Sequence, residues 1–539
     1  MTPFQQLRLW WRQATRTERQ FSFGVLLAVS ALVVWAVVPE ASGGRGATAA
    51  AVGGQPAVAA EQQAGGAGQA GPPTGEVPAQ PIATAAGGRP AATLGPVTTA
   101  TAAAPSAALT TAPGRGSHPT PRTASKPGSP AQTPIPEPLT ATDRGVTPTS
   151  ITIGFVKLSL GGVNQAGIVA NLRTDMDQVI QAYVDDTNAH GGVLGRKLIA
   201  DIKTVDVIDS NDQQAKCVAF TQTDKVFAIL DTAWLYYPSA RACVAVDNKT
   251  PLITGVPGGA GEVQRAAGYL LGTSKDDDRK VKDAVFSAKA QGFFSPAKGF
   301  GKLGIVDDGC EPPVVNDSQI GMKAYLKQVG VTSWSEFTFN CTFQDQQSQV
   351  AQAVLQMHTD NVTSILAATN NKTLTSFMQA AQAQNYKPKY FLSDYNQLTH
   401  PYNAHGEYPA AQADGALGVS EWNQGNVQAV PSIQACSKIL TAHGLPGITD
   451  WLKDFEAISL CDDLQLFVSA ARDAGASLTR AELVQAAQAS GRFEFGMVHQ
   501  SDYTGPGHVT GGDQVAPVTL DVSGCGCFQL LGPYTTGYG

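Results

Sequence analysis

The sequence predicts an α/β fold built on two open, mainly parallel sheets, each flanked by helices and each making one lobe. Three observations predict it. Strand-period and helix-period segments alternate from Ile151 to Thr254, and the alternation restarts at Lys302. The stretch Ala182 to Leu198, AYVDDTNAHGGVLGRKL, joins the close of an amphipathic helix to the start of a strand through a double glycine. Composition also changes near Gly145, from Ala, Gly, Pro and Thr to a mixture with enough large apolar residues to fill a core.

Residues 1–20 carry Arg8, Arg12, Arg16 and Arg19 and are expected on the cytoplasmic side of a membrane. Phe21 to Val38 is an uncharged apolar run, about 27 Å long as a helix, which matches the hydrocarbon thickness of a bilayer. It is read as a transmembrane anchor at residues 21–38, with a cleaved signal sequence as the rival reading, since Ala47-Thr48-Ala49 offers a cleavage site. The protein is therefore placed at the cell membrane, single-pass, with its folded part on the extracytoplasmic side. No cysteine follows the apolar run to take a lipid. Residues 39–144 are too poor in large apolar side chains to bury a core and are read as a disordered linker.

The folded part occupies residues 145–539. Ile151 to Val156 reads as a strand, and Met176, Val179, Ile180, Tyr183 and Val184 share one face of the following helix. Asn188 to Gly192 stops that helix because asparagine and glycine accept left-handed backbone angles. Strands follow at Leu198 to Val205, Val226 to Leu230 and Pro251 to Thr254, with helices at Ser210 to Thr223 and Pro238 to Asp247 between them. After a helix near Asp276 to Gln291 the pattern repeats with strands at Lys302 to Val306, Phe337 to Phe339, Val362 to Ala367 and Tyr390 to Leu392. A Pro, His and Tyr-rich loop, a strand at Gly415 to Glu421, and helices at Val430 to His443, Asp450 to Ala474 and Thr479 to Ser490 complete the reading.

Net charge is -7, with no basic face and no basic-aromatic interleaving in the folded part, which excludes nucleic acid as a partner. There is no Gly-x-Ser-x-Gly elbow, no phosphate-binding Gly-x4-Gly-Lys loop and no His-Glu-x-x-His helix. His400 and His405 do not share a helical face. No catalytic constellation, no metal site and no cofactor are expected, so the chain is read as a non-enzyme. All 8 cysteines lie at or after Cys217, as disulfides in an oxidising compartment require.

The helix ending in Asn-Ala-x-Gly-Gly-Val-x-Gly-Arg-Lys, placed between a first and a second strand, resembles the type I periplasmic solute-binding proteins, particularly the branched-chain amino acid and amide receptors of ABC transporters. The resemblance covers Gly145 to about Val522. It implies two lobes joined by several crossings, the first about 145–271 and 410–500, the second about 272–400, with 500–539 unplaced. It also extends a family disulfide to Cys217 with Cys243. Cys310 and Cys341 follow strand ends of the second lobe, and Cys436 and Cys461 sit on successive helices; these pairs are expected, although eight cysteines allow 105 connectivities. Cys525-Gly-Cys527 is left over, as a tight bridge or an unpaired motif.

Open parallel sheets bind ligands beyond the carboxyl ends of their strands. The loops there hold the candidate ligand-binding residues. The resemblance places Thr232 and Ala233 at the ligand carboxylate, Thr254 at a second hydroxyl contact and Asp394 at the ligand ammonium. Trp234 and Tyr236 depart from the family's small residues and predict a larger or more aromatic ligand. Ser159, Asn370 and Tyr395 complete the set. The resemblance implies a monomeric receptor that captures a small organic solute, an amino acid, amide or aromatic or organic acid, for an ABC permease; a membrane-tethered sensor and a cell-wall interaction protein are the alternatives.

Overall fold

The computed structural model describes residues 138–161, 172–309, 314–340, 343–404, 407–504 and 508–538. The basic segment, the anchor at 21–38 and nearly all of the linker lie outside the described residues, as do Cys310 and Cys341. Among the described residues no helix is long and apolar enough to cross a membrane.

The first sheet is wholly parallel. Its strands are β1 (Ser150–Leu158), β2 (Lys197–Val205), β3 (Ala228–Asp231), β4 (Leu252–Thr254) and β5 (Leu270–Gly272), in the order β2-β1-β3-β4-β5. The helix Met176–Ala189 buries the predicted face of Met176, Val179, Ile180, Tyr183 and Val184. The chain then reverses through Gly191 and Gly192, at φ 90° and 63°. A side chain at Gly192 would stand 2.1 Å from the Arg196 carbonyl oxygen, so the reversal needs glycine twice over. The helices predicted at 210–223 and 238–247 run as expected, each ending in a wider π-type turn, Ala219–Thr223 and Cys243–Asp247. Cys217 bridges Cys243 across these two helices.

The second sheet holds β6 (Leu303–Gly309), β7 (Trp334–Asn340), β8 (Ser364–Ala368), β9 (Lys389–Leu392) and β10 (Leu417–Ser420). The short pair β11 (Arg492–Phe493) and β12 (Ser501–Asp502) lies apart. The chain then returns with β13 (Gln514–Asp521), β14 (Cys527–Leu530) and β15 (Thr535–Thr536). The strand order is β14-β13-β10-β9-β8-β6-β7. β6 to β10 are parallel, whereas β13 and β14 run antiparallel. Cys525 and Cys527 are bridged in the β13–β14 turn.

Two boundaries differ from the sequence reading. The crossing expected near residue 410 falls after Ser420, because Leu417 and Gly418 pair with Phe391 and Leu392 in the second sheet. Residues 514–521, unplaced by sequence, pair with that same strand. The helices Pro431–Ala442 and Phe455–Asp473 do join the first lobe's core, and Cys436 bridges Cys461 between them. At the other end, ordered chain begins before residue 145. Arg144 Nη1 donates to the Thr221 carbonyl at 2.9 Å, and Arg196 Nη2 holds the Thr140 carbonyl at 3.0 Å, so the end of the predicted linker is docked on the first lobe.

Three crossings connect the lobes, at Gly272–Asp276, Glu421–Asn423 and Thr510–Gly512. They are cross-linked by buried polar groups. Lys275 N donates to Glu421 Oε2 at 3.0 Å, Arg279 donates to the carbonyls of Thr510 and Gly512 at 2.7 and 2.6 Å, and Thr510 Oγ1 donates to Asp276 Oδ2 at 2.9 Å. Such a network gives the hinge one register, since each broken bond would leave a buried polar group unpaired.

Candidate functional site

The first-lobe wall is organised by Asp231, the last residue of β3. Its fully buried carboxylate accepts the backbone N–H groups of Trp234 (2.9 Å) and Leu235 (3.2 Å) and the hydroxyl of Thr254 (3.3 Å), which folds the loop tightly over the strand end. Burial pushes this carboxyl up to about 6 even though those donors favour its ionised form. Thr232, next in sequence, is fully buried and its Oγ1 has no hydrogen-bond partner among the described residues. Ala233 is half-buried beside it.

Trp234 is fixed rather than free to swing. Its Nε1 donates to Glu456 Oε1 at 2.9 Å, and its ring meets Phe455 edge-on at 5.7 Å. Glu456 also accepts the backbone N–H of Leu158 at 3.0 Å, so one carboxyl ties the ends of β1 and β3 to the helix Phe455–Asp473. Burial pushes Glu456 up to about 7. Ser159 follows directly, half-buried, with its N–H on the Val205 carbonyl. Thr254 spends its hydroxyl locally, on Asp231 and on the Val256 N–H at 3.2 Å, and so caps its own turn.

The second-lobe wall is organised by Asp308 near the end of β6. It accepts from Thr369 Oγ1, the Asn370 N–H (3.2 Å), Gln346 Nε2 (3.1 Å) and Asn396 Nδ2 (3.3 Å), and thereby draws together the loops after β6, β8 and β9. Burial pushes Asp308 up to about 7. Asn370 is committed to structure: its side chain caps the helix Asn371–Ala383 through Thr373 N and donates to Gln346 Oε1. Tyr395 is buried, and its loop passes through left-handed backbone at Asn396 (φ 47°) and Gln397 (φ 62°).

Asp394, which the resemblance places at the ligand ammonium, follows β9 and has its carboxyl engaged by neighbouring donors of the hinge. It is 2% exposed, and its oxygens accept from Glu421 N (2.6 Å), Ser420 Oγ (3.2 Å) and Thr399 Oγ1. Burial, reinforced by the neighbouring Glu421 carboxyl, pushes it up to about 8. These three donors hold the carboxyl inside the hinge.

The structure thus gathers Ser159, Thr232, Ala233, Trp234 and Thr254 around Asp231 and Glu456, gathers Asn370 and Tyr395 around Asp308, and ties Asp394 to the hinge. Burial, chiefly, raises both the Tyr236 and the Tyr395 phenol. Sequence reading missed Asp231, Asp308 and Glu456, and it missed an aromatic contact between lobes. His400 and Tyr402 of the second lobe pack on Phe455 at 5.1 and 5.8 Å, and His400 also meets Trp422 at 5.1 Å. Burial holds the His400 imidazole neutral. The Pro-His-Tyr composition of that loop was the available signal. Among the described residues no group of three or more His, Cys, Asp or Glu side chains is placed to hold a metal ion.

Comparison with curated proteins finds no match. Solved structures give the fold. A fatty acid ABC transporter substrate-binding protein from Thermomonospora curvata is 19% identical, with 74% of this chain and 95% of that chain covered at a TM-score of 0.51. A Rhodopseudomonas palustris solute-binding protein in complex with 3,4-dihydroxy benzoic acid is 15% identical over 72% of this chain and 98% of its own, at 0.52. A leucine-binding protein from Thermotoga maritima is 13% identical over 72% and 99%, at 0.50. The family profile for periplasmic binding proteins matches residues 151–520, from β1 into β13 and across all three crossings. The chain belongs to the periplasmic binding protein family.

Proposed function

We propose that the two lobes close around a small organic solute and hand it to an ABC importer, on the extracytoplasmic side of a membrane to which Phe21–Val38 anchors the chain. The observation that carries this reading is the arrangement of the strand ends. Ligands of open parallel sheets bind beyond the carboxyl ends of the strands, here those of β1, β3 and β4 in one lobe and of β6, β8 and β9 in the other, and Thr232 beside the end of β3 carries a buried hydroxyl with no hydrogen-bond partner among the described residues. Structural neighbours described as ABC substrate-binding proteins support the same role. A solute touching both lobes only when they are closed shifts the population to the closed form. Trp234, fixed by Glu456, gives the cleft an aromatic wall, which suits a ligand with an apolar or aromatic body.

The test is thermal unfolding of the full chain, refolded to strip co-purified solute, against amino acids, amides, amines, short-chain acids and aromatic acids. A ligand at 100 times its Kd adds about 2.7 kcal/mol to native stability and raises the midpoint visibly. Trp234→Ala is expected to abolish that rise. If no class raises the midpoint, solute capture is overturned.

A further inference from the structure

After β14 the chain runs back over the hinge, and residues 531–538 meet all three crossings. Tyr534 reaches the second crossing, where its hydroxyl donates to the Trp422 carbonyl at 2.6 Å. Gly537 N donates to the Asp513 carbonyl at 2.9 Å, one residue past the third. Tyr538 N donates to one oxygen of Asp283, and the other oxygen of that carboxylate takes the ammonium of Lys275 from the first. Space there is tight, since a side chain at Gly537 would stand 2.8 Å from both Asp283 oxygens.

The two lobes hold this segment unequally. On the second lobe it is fixed at both ends. Leu531 N donates to the Pro517 carbonyl at 2.8 Å, Thr535 and Thr536 pair with Val515 and Gln514 of β13, and the Tyr538 ring stacks at 5.5 Å on Phe286 of the helix Asp277–Ala290. Phe286 in turn packs on the second lobe's core. Among the described residues, it is Tyr534 that makes the segment's polar and ring contacts to the first lobe. Its ring lies on His499 with centroids 3.8 Å apart and planes 11° from parallel. His499 is itself anchored, because its backbone N–H donates to the Glu421 carbonyl at 2.8 Å and its Nδ1 lies 3.2 Å from Asn423 Oδ1. Trp422 and Val498, bridged to each other beside it, belong to the first lobe's core.

A segment secured to one lobe and gripping the other through one side chain has the geometry of a latch. Rotation of the lobes about the crossings must slide Tyr534 off His499 and break its bond to Trp422. One buried hydrogen bond and one ring stack together bias the hinge about tenfold or more toward the held arrangement. We propose that residues 531–538 are a strap over the hinge and that Tyr534 is its latch, restraining the first lobe against rotation relative to the second. None of these residues belongs to the strand-end loops where solute is expected, so the restraint acts whether or not solute is bound.

Spin labels test this in the full chain. Carried by unnatural residues in place of the exposed Ile199 of the first lobe and Leu355 of the second, they read the distance between lobes and leave the disulfides intact. Tyr534→Ala is expected to broaden that distance distribution. It should also speed amide exchange about tenfold or more at Lys275, Glu421 and Gly511, each of which donates a hydrogen bond within one of the three crossings. Tyr534→Phe keeps the ring and loses only the hydroxyl, so the same changes should follow at about fivefold, and it keeps the test valid if Tyr534→Ala folds poorly. A distance distribution that neither variant broadens overturns the latch. Exchange that rises throughout the chain also overturns it, as general destabilisation, and so does exchange that rises only within residues 531–538, as a frayed tail.

Discussion

The backbone N–H of Glu421 donates to Asp394 Oδ2 at 2.6 Å, and this contact joins the loop after β9 to the second crossing between the lobes. Glu421 in turn accepts the N–H of Lys275 from the first crossing, so two of the three connections are coupled through one carboxyl pair. Asp394 is part of the hinge.

Replacing it should therefore cost stability first. Asp394→Ala strands three buried donors, on Glu421, Thr399 and Ser420, and is expected to lower unfolding free energy by about 2–5 kcal/mol. Urea unfolding midpoints check this. A variant with an unchanged midpoint and lost ligand binding would return Asp394 to the cleft.

Stability should fall as pH rises from about 4 to about 8. Burial raises Asp308 and Asp462 to about 7, Glu456 to about 7 and Asp394 to about 8. Over that window the unfolded carboxyls, with ordinary values near 4, have lost their protons while the native ones still hold them, so the slope of unfolding free energy with pH is negative. Asp143 and Asp175, lowered instead of raised, act in the opposite sense only below about pH 4. Thermal midpoints measured from pH 4 to 8 are expected to be highest at the acid end of that range and to fall toward pH 8; a midpoint that climbs toward pH 8 contradicts the assignment.

Cys436→Ser with Cys461→Ser opens a bridge spanning 25 residues. The expected loss is about 3 kcal/mol, from the freedom regained by the unfolded chain. Comparing denaturant midpoints of the oxidised protein and the double variant measures it, and equal midpoints would show that the helix contact suffices without the bond.

Gly512 is the tightest point of the third crossing. A methyl group there would lie 2.2 Å from Glu421 Oε2 and 2.6 Å from the backbone nitrogen of Lys275. The carboxyl can turn away, but the backbone must move, so Gly512→Ala is expected to loosen the hinge and lower the thermal midpoint. Small-angle scattering of the variant should show a larger mean radius; an unchanged radius and midpoint would mean the crossing tolerates the shift.

Much of this was legible in sequence. The apolar face from Met176 to Val184 and the reversal at Gly191 and Gly192 follow from local rules, and the structure has both where the pattern puts them. β13 was not legible, because Pro517 reads against a strand inside a sheet. Its carbonyl accepts from Leu531 N, so the proline nitrogen faces the β14 side, just past the last paired residues Val518 and Leu530, where no donor is needed. The loop after β3 was recognised, but Asp231, which shapes it, looked like an ordinary strand end. For Asp394 the residue type was right for an ammonium partner, and only the third dimension shows its oxygens engaged by donors of the hinge.

The return of β13 between β10 and β14 also bears on how the molecule is made. β6 to β10 have been synthesised well before Gln514, yet the edge of β10 stays unpaired until Gln514–Asp521 leaves the ribosome. The sheet of the second lobe is thus completed only late in translation, and until then the open edge of β10 is the place where premature aggregation would start.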